Sequence, residues 1–303
     1  MKKSTTIWLI AALVCIVAGA SIAFVGRITG GKGGVYINQN GKLVTSGESG
    51  KNTSEAYTGI KRIVTDLNDT AVRVRESDNN QFYVTMQYSD SNNIPEVTME
   101  NSTITVRQEQ KGWHIINFNF FDWANDDEVV FYVPRNIQLT ELNLATKNGA
   151  IESAVELDVD YLGMDTRNGS ITVENVSSKE TNLETANGTI ECDGSFEGTT
   201  EISSKNGKII CAGTYDGNTM IEDKNGRIEA SGTFLGTTKC ETSNGAVRLH
   251  SAVKLNDYSM KAKTSNGSVR INGNKVEDSY TVNAGSANHL ELKTSNGSIE
   301  ITD

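Results

Sequence analysis

Residues 183–249 read LETANGTIECDGSFEGTTEISSKNGKIICAGTYDGNTMIEDKNGRIEASGTFLGTTKCETSNGAVRL, and the pair Asn-Gly recurs in them every 19 residues, at Asn187, Asn206, Asn225 and Asn244. The series extends in both directions. Asn148 and Asn168 precede these four, Asn266 and Asn296 follow, and the steps are 20, 19, 19, 19, 19, 22 and 30 residues. A fixed period near this length marks a repeat architecture, in which one small unit cannot bury its own apolar face and stacks on the next.

The flanks repeat as well. Three residues after each Asn stands Ile151, Ile171, Ile190, Ile209, Ile228, Val247, Val269 or Ile299, and two further on Ser153, Val173, Cys192, Cys211, Ala230, Leu249, Ile271 or Ile301. Four residues before each Asn stands Leu144, Met164, Leu183, Ile202, Ile221, Cys240, Ala262 or Leu292, and two before it Thr146, Thr166, Thr185, Ser204, Asp223, Thr242, Thr264 or Thr294. Alternation of this kind is that of a half-buried strand, so each unit reads as strand, Asn-Gly turn, strand, with the Thr column facing inward. A second corner is visible in the middle units, where Gly194, Gly213 and Gly232 precede Phe196, Tyr215 and Phe234, and Gly198, Gly217 and Gly236 follow them. Equal spacing predicts a short aromatic stack.

Two architectures fit these columns. In a β-solenoid each unit is one rung, parallel to its neighbours and ~4.8 Å from them. In an antiparallel meander each Asn-Gly is a type I′ hairpin. The constant period favours the solenoid, because stacked corners demand equal rungs and a meander does not. The reading is therefore an all-β chain: a β-solenoid (single-stranded β-helix) of about eight rungs of ~19 residues over 142–303. Asn148, Asn168, Asn187, Asn206, Asn225, Asn244, Asn266 and Asn296 form its turn ladder with Gly149, Gly169, Gly188, Gly207, Gly226, Gly245, Gly267 and Gly297. The amides are expected to join from rung to rung, and the glycines to follow at φ > 0. The sequence stops at Asp303, directly after the Ile299–Ile301 strand, so an open strand edge is expected at that end.

Residues 57–141 alternate apolar and polar in several short stretches but carry no such period, and read as a β-rich cap module. Residues 28–56, rich in Gly, Ser, Lys and Asn, read as a flexible stalk. Residues 1–27 hold Lys2, Lys3 and Arg27, no acid, and an uncharged run from Ile7 to Val25. As a helix that run is ~28 Å long, enough to cross a bilayer core, with the basic pair on the cytoplasmic side. Ala18-Gly19-Ala20 also fits a signal-peptidase site, but apolar residues resume after it, which favours an uncleaved anchor over a removed signal. Both readings export the remainder. Val14 before Cys15 argues against a lipoprotein. The net charge of -10 argues against a nucleic-acid binder, which needs a basic face.

A Lys-flanked apolar leader, an irregular β module and then serial units such as LETANGTIECDG and LKTSNGSIEITD together resemble the bacterial putative-adhesin family of β-strand-repeat proteins, a domain of unknown function, over roughly residues 57–303. The resemblance implies an extracytoplasmic β-solenoid held in the bacterial cell membrane by a single pass, with no established enzyme activity. It also implies, for some relatives, a place in the cell-envelope stress response.

Little else in the chain reads as chemistry. His114, His250 and His289 are scattered, without partners at metal-ligand spacing. Cys192, Cys211 and Cys240 are an odd set outside the leader, which also holds Cys15, and read as small buried side chains. Asp193, Asp216 and Asp223 are the candidates if the solenoid were a carbohydrate-active enzyme; corner side chains accepting backbone hydrogen bonds are the simpler reading. Glu152, Glu191, Glu229 and Glu300 form an outward acidic stripe, interrupted by Arg248 and Arg270. Asp122, Asp126, Asp127 and Glu128 form a loop cluster lacking a calcium-loop pattern. Trp113, Phe118, Phe120, Phe121 and Trp123 are expected to pack the base of the solenoid. No catalytic, cofactor-binding or metal-ligating residue is assigned. The expected function is a non-catalytic binding or scaffold surface with a cell-surface polysaccharide or protein partner, engaged by outward side chains, by the 272–289 insertion or by strand addition at the open edge.

Overall fold

The computed structural model describes residues 34–37, 43–45, 50–89, 93–108, 113–117, 127–282 and 285–303. The expected anchor, residues 1–27, lies outside them, as do Phe118, Phe120, Phe121 and Trp123. Among the described residues no helix is long and apolar enough to cross a membrane. The chain divides into two compact units. The smaller takes in the described residues 34–37, 43–45, 50–52, 86–89, 93–95, 108, 113–117 and 127, and in it the strand Gly34–Ile37 pairs antiparallel with both Leu43–Thr45 and Trp113–Asn117.

The larger unit, residues 53–85, 96–107 and 128–303, is a β-solenoid-like repeat. The strands Ile151–Thr166, Ile171–Thr185, Ile190–Ser204, Ile209–Asp223 and Ile228–Thr242 lie parallel, each on the one before. From Ile190 to Thr242 the register is unbroken: Ile190 faces Ile209, which faces Ile228, and Ser204 faces Asp223, which faces Thr242. Parallel pairing excludes the hairpin meander, in which neighbours run antiparallel.

The core follows from the columns. Ile151, Ile171, Ile190, Ile209 and Ile228 are fully buried, and a second column of Leu144, Met164, Leu183, Ile202, Ile221 and Cys240 is buried as well. Each such side chain contributes ~1.5–3 kcal/mol, but only when a neighbouring rung covers it. At the second corner the rings of Phe196 and Tyr215 stack with centroids 5.0 Å apart, and those of Tyr215 and Phe234 at 5.4 Å.

The glycines act differently from expectation. None of the eight Asn-Gly glycines has a left-handed φ. What requires glycine there is close approach: a Cβ on any of them would lie 1.5–2.0 Å from a backbone carbonyl oxygen of the adjacent rung, Gly188 O in the case of Gly207. Positive φ is confined to the second corner in this stack, for example 109° at Gly213 and 133° at Gly232.

Parallel stacking also extends below Asn148. Arg62–Asp66 pairs parallel with both Glu141–Ala145 and Thr103–Arg107, and Val72–Val74 pairs with Ile151–Ser153. The connection Asn68-Asp69-Thr70 therefore occupies the place that later units give to the Asn-Gly turn. The outermost strand of this wall, Glu96–Glu100, runs antiparallel to Thr103–Arg107 and carries a glutamate at each end.

At the other end the rungs do not follow chain order. Residues 288–302 lie between the rung formed by 237–250 and the rung formed by 258–271. On one side Thr237–Thr242 pairs with His289–Thr294, and Val247–His250 with Ile299–Thr302. On the other, Tyr258–Thr264 pairs with Asn288–Thr294, and Val269–Ile271 with Ile299–Ile301. The expectation of an open edge on the last unit is thus corrected: that unit is interior. The 272–289 insertion covers the end instead, with Asn274–Val276 antiparallel to Val269–Ile271 and Ser279–Val282 antiparallel to Met260–Lys263. Three residues beyond the regular step separate Asn244 from Asn266, and that extra length, including the 3-10 turn Leu255–Asp257, carries the chain past the intervening rung.

Candidate functional site

The structure brings all eight turn asparagines into one file. Asn168 donates its side-chain amide to Asn148 Oδ1 at 2.5 Å, Asn187 to Asn168 at 2.7 Å, Asn206 to Asn187 at 2.8 Å, Asn225 to Asn206 at 2.8 Å and Asn244 to Asn225 at 2.9 Å. Asn296 then donates to Asn244 at 2.8 Å and Asn266 to Asn296 at 2.9 Å. At the opposite end Asn148 donates to the Asp69 carboxylate at 2.5 Å. Every bond points the same way, so the amide dipoles add, and an anion stands where their positive ends converge, as at a helix N-terminus. Asp69 was invisible to the period because Asp-Thr replaces Asn-Gly; its spacing of five residues between the flanking inward positions Leu67 and Val72 was the available signal.

The ladder is internally satisfied. Asn206 and Asn225 also donate to the backbone carbonyls of Ala186 and Lys205, at 3.4 and 3.2 Å. The inward hydroxyl column satisfies the glycine carbonyls: Thr166 donates to Gly149 O at 2.9 Å, Thr185 to Gly169 O at 3.0 Å, Thr242 to Gly226 O at 3.0 Å and Thr294 to Gly245 O at 2.9 Å.

Asp223 breaks this column. It is buried, 3% exposed, and its Oδ1 accepts the backbone N–H groups of Asn225 at 2.8 Å and Gly226 at 2.5 Å. Its Oδ2 is buried without a hydrogen-bond partner. Burial pushes the Asp223 pKa up, and the backbone donors only partly offset this. The enzyme reading needed Asp193, Asp216 and Asp223 on one outer face; Asp193 and Asp216 are exposed while Asp223 is turned inward into the turn.

The thiols are also inward. Cys192 Sγ lies 3.4 Å from Cys211 Sγ and 3.3 Å from Tyr215 Oη. The contact with Cys192 and then burial hold Cys211 well above the usual thiol range, and burial pushes Cys240 up to about 12. Such thiols remain protonated and unreactive.

The outward face after the turn is laced by ion pairs. Glu229 receives Lys208 at 2.5 Å, Arg227 at 3.0 Å and Arg248 at 3.2 Å, and the Lys208 contact first of all holds its pKa down. Burial works against the Glu152 carboxylate, but Arg75 and Arg73 outweigh it and hold it below the usual range. Glu300 lies 3.7 Å from Arg248, Glu191 is exposed, and Arg270 donates to Gly273 O instead. His250 Nδ1 is 2.9 Å from Thr302 Oγ1, and His289 is exposed. Of the loop cluster, Asp127 accepts the Ser89 N–H at 2.7 Å and Glu128 pairs with Arg73; Asp122 and Asp126 lie outside the described residues. On the outward face before the turn, an open cleft of about 360 Å³ crosses several rungs, flanked by Glu184, Lys205, Glu222, Lys224, Glu241 and Lys293.

A parallel β-stack, closed at a turn by an amide ladder and presenting long polar faces, defines the molecule as a β-solenoid-like repeat protein. The chain belongs to the Toastrack DUF4097 family, whose pattern matches residues 60–302. Among solved structures it is similar to a putative adhesin from Parabacteroides merdae ATCC 43184, at 10% identity and a TM-score of 0.45, over 84% of this chain and 96% of that one. It is likewise similar to a putative adhesin from Bacteroides fragilis NCTC 9343, at 10% identity and a TM-score of 0.43, over 84% and 97%. No curated protein matches it.

Proposed function

We infer that this chain is a non-catalytic binding or scaffold surface of the bacterial cell envelope, displayed outside the membrane on an anchor formed by residues 7–25. It acts as an adhesin-type surface toward an envelope polysaccharide. The observation that carries this reading is the division of labour across each strand. Inward polar groups are taken up by the fold itself, Thr185 and Thr242 by glycine carbonyls and Asp223 Oδ1 by its turn, and the exposed turn asparagines bond one another, so chemistry is left to the other outward columns. Those columns repeat at the strand spacing along one axis, which suits a linear polymer that repeats as well.

The test is retention of the purified chain on immobilised envelope polysaccharide, comparing the native protein with Glu222→Lys and Glu241→Lys. Retention by the native chain that the substitutions weaken supports the reading. Hydrolysis of the polysaccharide, lost in Asp223→Asn, would replace it with the enzyme. Protease accessibility in intact cells tests the exposure of residues 57–303.

A further inference from the structure

The stack order itself points to a second binding event. The unit 288–303 is held on both edges by parallel pairing, and its inward side chains Leu290, Leu292, Thr294, Ile299 and Ile301 are buried to within 2%. The two rungs that enclose it are consecutive in the chain and are joined to each other through residues 252–257. Without 288–303 they would form a rung-wide slot, with main-chain donors and acceptors on both walls and a complete set of columns between them. This is the geometry of strand complementation, in which backbone pairing gives affinity and alternate side-chain sites give selectivity.

The occupant is closed in by a polar clamp. Asp303 Oδ2 accepts the Leu255 N–H at 2.7 Å, its Oδ1 accepts from the Asn272 side chain at 3.2 Å, and its own N–H donates to Asn272 Oδ1 at 3.1 Å. Leu255 lies in the connection that bypasses the inserted rung, and Asn272 lies in the turn that begins the return path. The clamp therefore ties the inserted unit to the two connections that exist only because it is inserted.

We propose that residues 288–303 are a donor strand and that a second copy of this chain can supply it, giving strand-exchanged assemblies. The slot selects this occupant by pattern: an Asn at the ladder position to bond Asn244 and receive Asn266, a Gly beside it where a Cβ would lie 1.9 Å from Gly245 O, and a Thr to reach that same carbonyl. Only the covalent path from Val282 to Asn288 assigns the strand to its own chain. Exchange remakes the same bonds between copies, so its cost is that of association and of opening the clamp. The inference stands apart from the polysaccharide reading, because no ligand enters it.

Glu241 and Lys293 are register partners across the inserted strand, on its outward face. The experiment uses the full chain in differently tagged single variants, Glu241→Cys and Lys293→Cys, mixed and oxidised with oxidised glutathione. A disulfide joining the two tags reports the donor strand of one copy in the slot of the other when it exceeds that formed by the control pair Glu222→Cys and Lys293→Cys, which exchange leaves a further rung apart. The double variant, Glu241→Cys with Lys293→Cys, reports the slot within one chain. Expected are an internal disulfide in the double variant, a mixed-tag dimer on co-incubation, and a several-fold rise in that dimer when Asp303→Ala is added to both chains. Internal disulfide without any mixed-tag dimer, even with Asp303→Ala, overturns the proposal. Failure of the internal disulfide overturns the slot. Either result leaves polysaccharide retention untouched.

Discussion

Asn266 donates its side-chain amide to Asn296, 2.9 Å away and thirty residues ahead of it, while Asn244, the preceding asparagine of the series, is bonded to Asn296 from the other side. The ladder is thus continuous in space and permuted in sequence. Its continuity is what the fold protects, and several measurable consequences arise from that.

Asn206 sits in the middle of the file. Asn206→Ala removes the bonds it donates to Asn187 and to Ala186 O and the bond it accepts from Asn225, and is expected to lower stability by about 1–2 kcal/mol in urea unfolding. Asn206→Asp is expected to cost more at neutral pH, because a carboxylate accepts from Asn225 but has no hydrogen for Asn187, and to recover part of the loss on acidification. Equal stability of the three proteins would remove the ladder from the energetics.

Two glycines separate crowding from conformation. Gly207→Ala drives a methyl to 1.8 Å from Gly188 O, and the rungs must part. A loss above about 3 kcal/mol, or no folded protein, is expected. Gly273 has φ +78° with nothing within 4 Å of a Cβ, so Gly273→Ala should cost only about 1–2 kcal/mol of left-handed strain. Reversal of that order would mean that the turn glycines serve φ after all.

Asp223 gives the stack a pH dependence of definite sign. Its folded pKa is raised by burial, so protons bind more tightly in the folded chain than in the unfolded one. Its contribution is fully present below the unfolded carboxylate value and declines as pH rises through the folded value. Asp223→Thr restores the hydroxyl that Thr185 and Thr242 place in this column, and should stabilise the protein by about 1 kcal/mol at pH 7, with a smaller gain at acid pH. Thermal unfolding of both proteins across pH checks it; a gain that grows toward acid pH contradicts the assignment.

The aromatic corner is a packing site. Tyr215 is fully buried between Phe196 and Phe234, and its hydroxyl lies 3.3 Å from Ala212 O. Tyr215→Ala opens a cavity and is expected to cost about 3–5 kcal/mol. Tyr215→Phe keeps the stack, so a loss as large as the alanine variant's would assign the corner to the hydroxyl instead.

Thiol chemistry reads burial directly. In the chain lacking residues 1–27, Cys192, Cys211 and Cys240 should resist a soluble maleimide at pH 8, and all three should react once denaturant unfolds the stack. Rapid labelling of any of them in the folded protein would show that its rung opens.

Much of this was legible because repetition makes a sequence its own alignment. The Ile column, the Thr column and the Phe196–Tyr215–Phe234 stack could be read as spatial neighbours from spacing alone, since in-register parallel strands convert equal spacing into contact. Two features escaped for opposite reasons. Asp69 does the work of a turn asparagine with different letters, because the file needs only an acceptor at its end. The glycines carry the expected letter for another cause, because composition does not distinguish a positive φ from a carbonyl 1.8 Å above.

The sequence by itself determined the rung: its length, its inward columns and the turn that ends each strand, all set by contacts between residues a fixed distance apart. Only the tertiary structure decided the order of the rungs. Leu290, Leu292, Thr294, Asn296 and Ile299 match Met260, Ala262, Thr264, Asn266 and Val269 position for position, so either unit satisfies the same neighbours. What chooses between the two orders is connection length and the contacts of Asp303 with Leu255 and Asn272, and those exist only when the whole end of the stack has assembled.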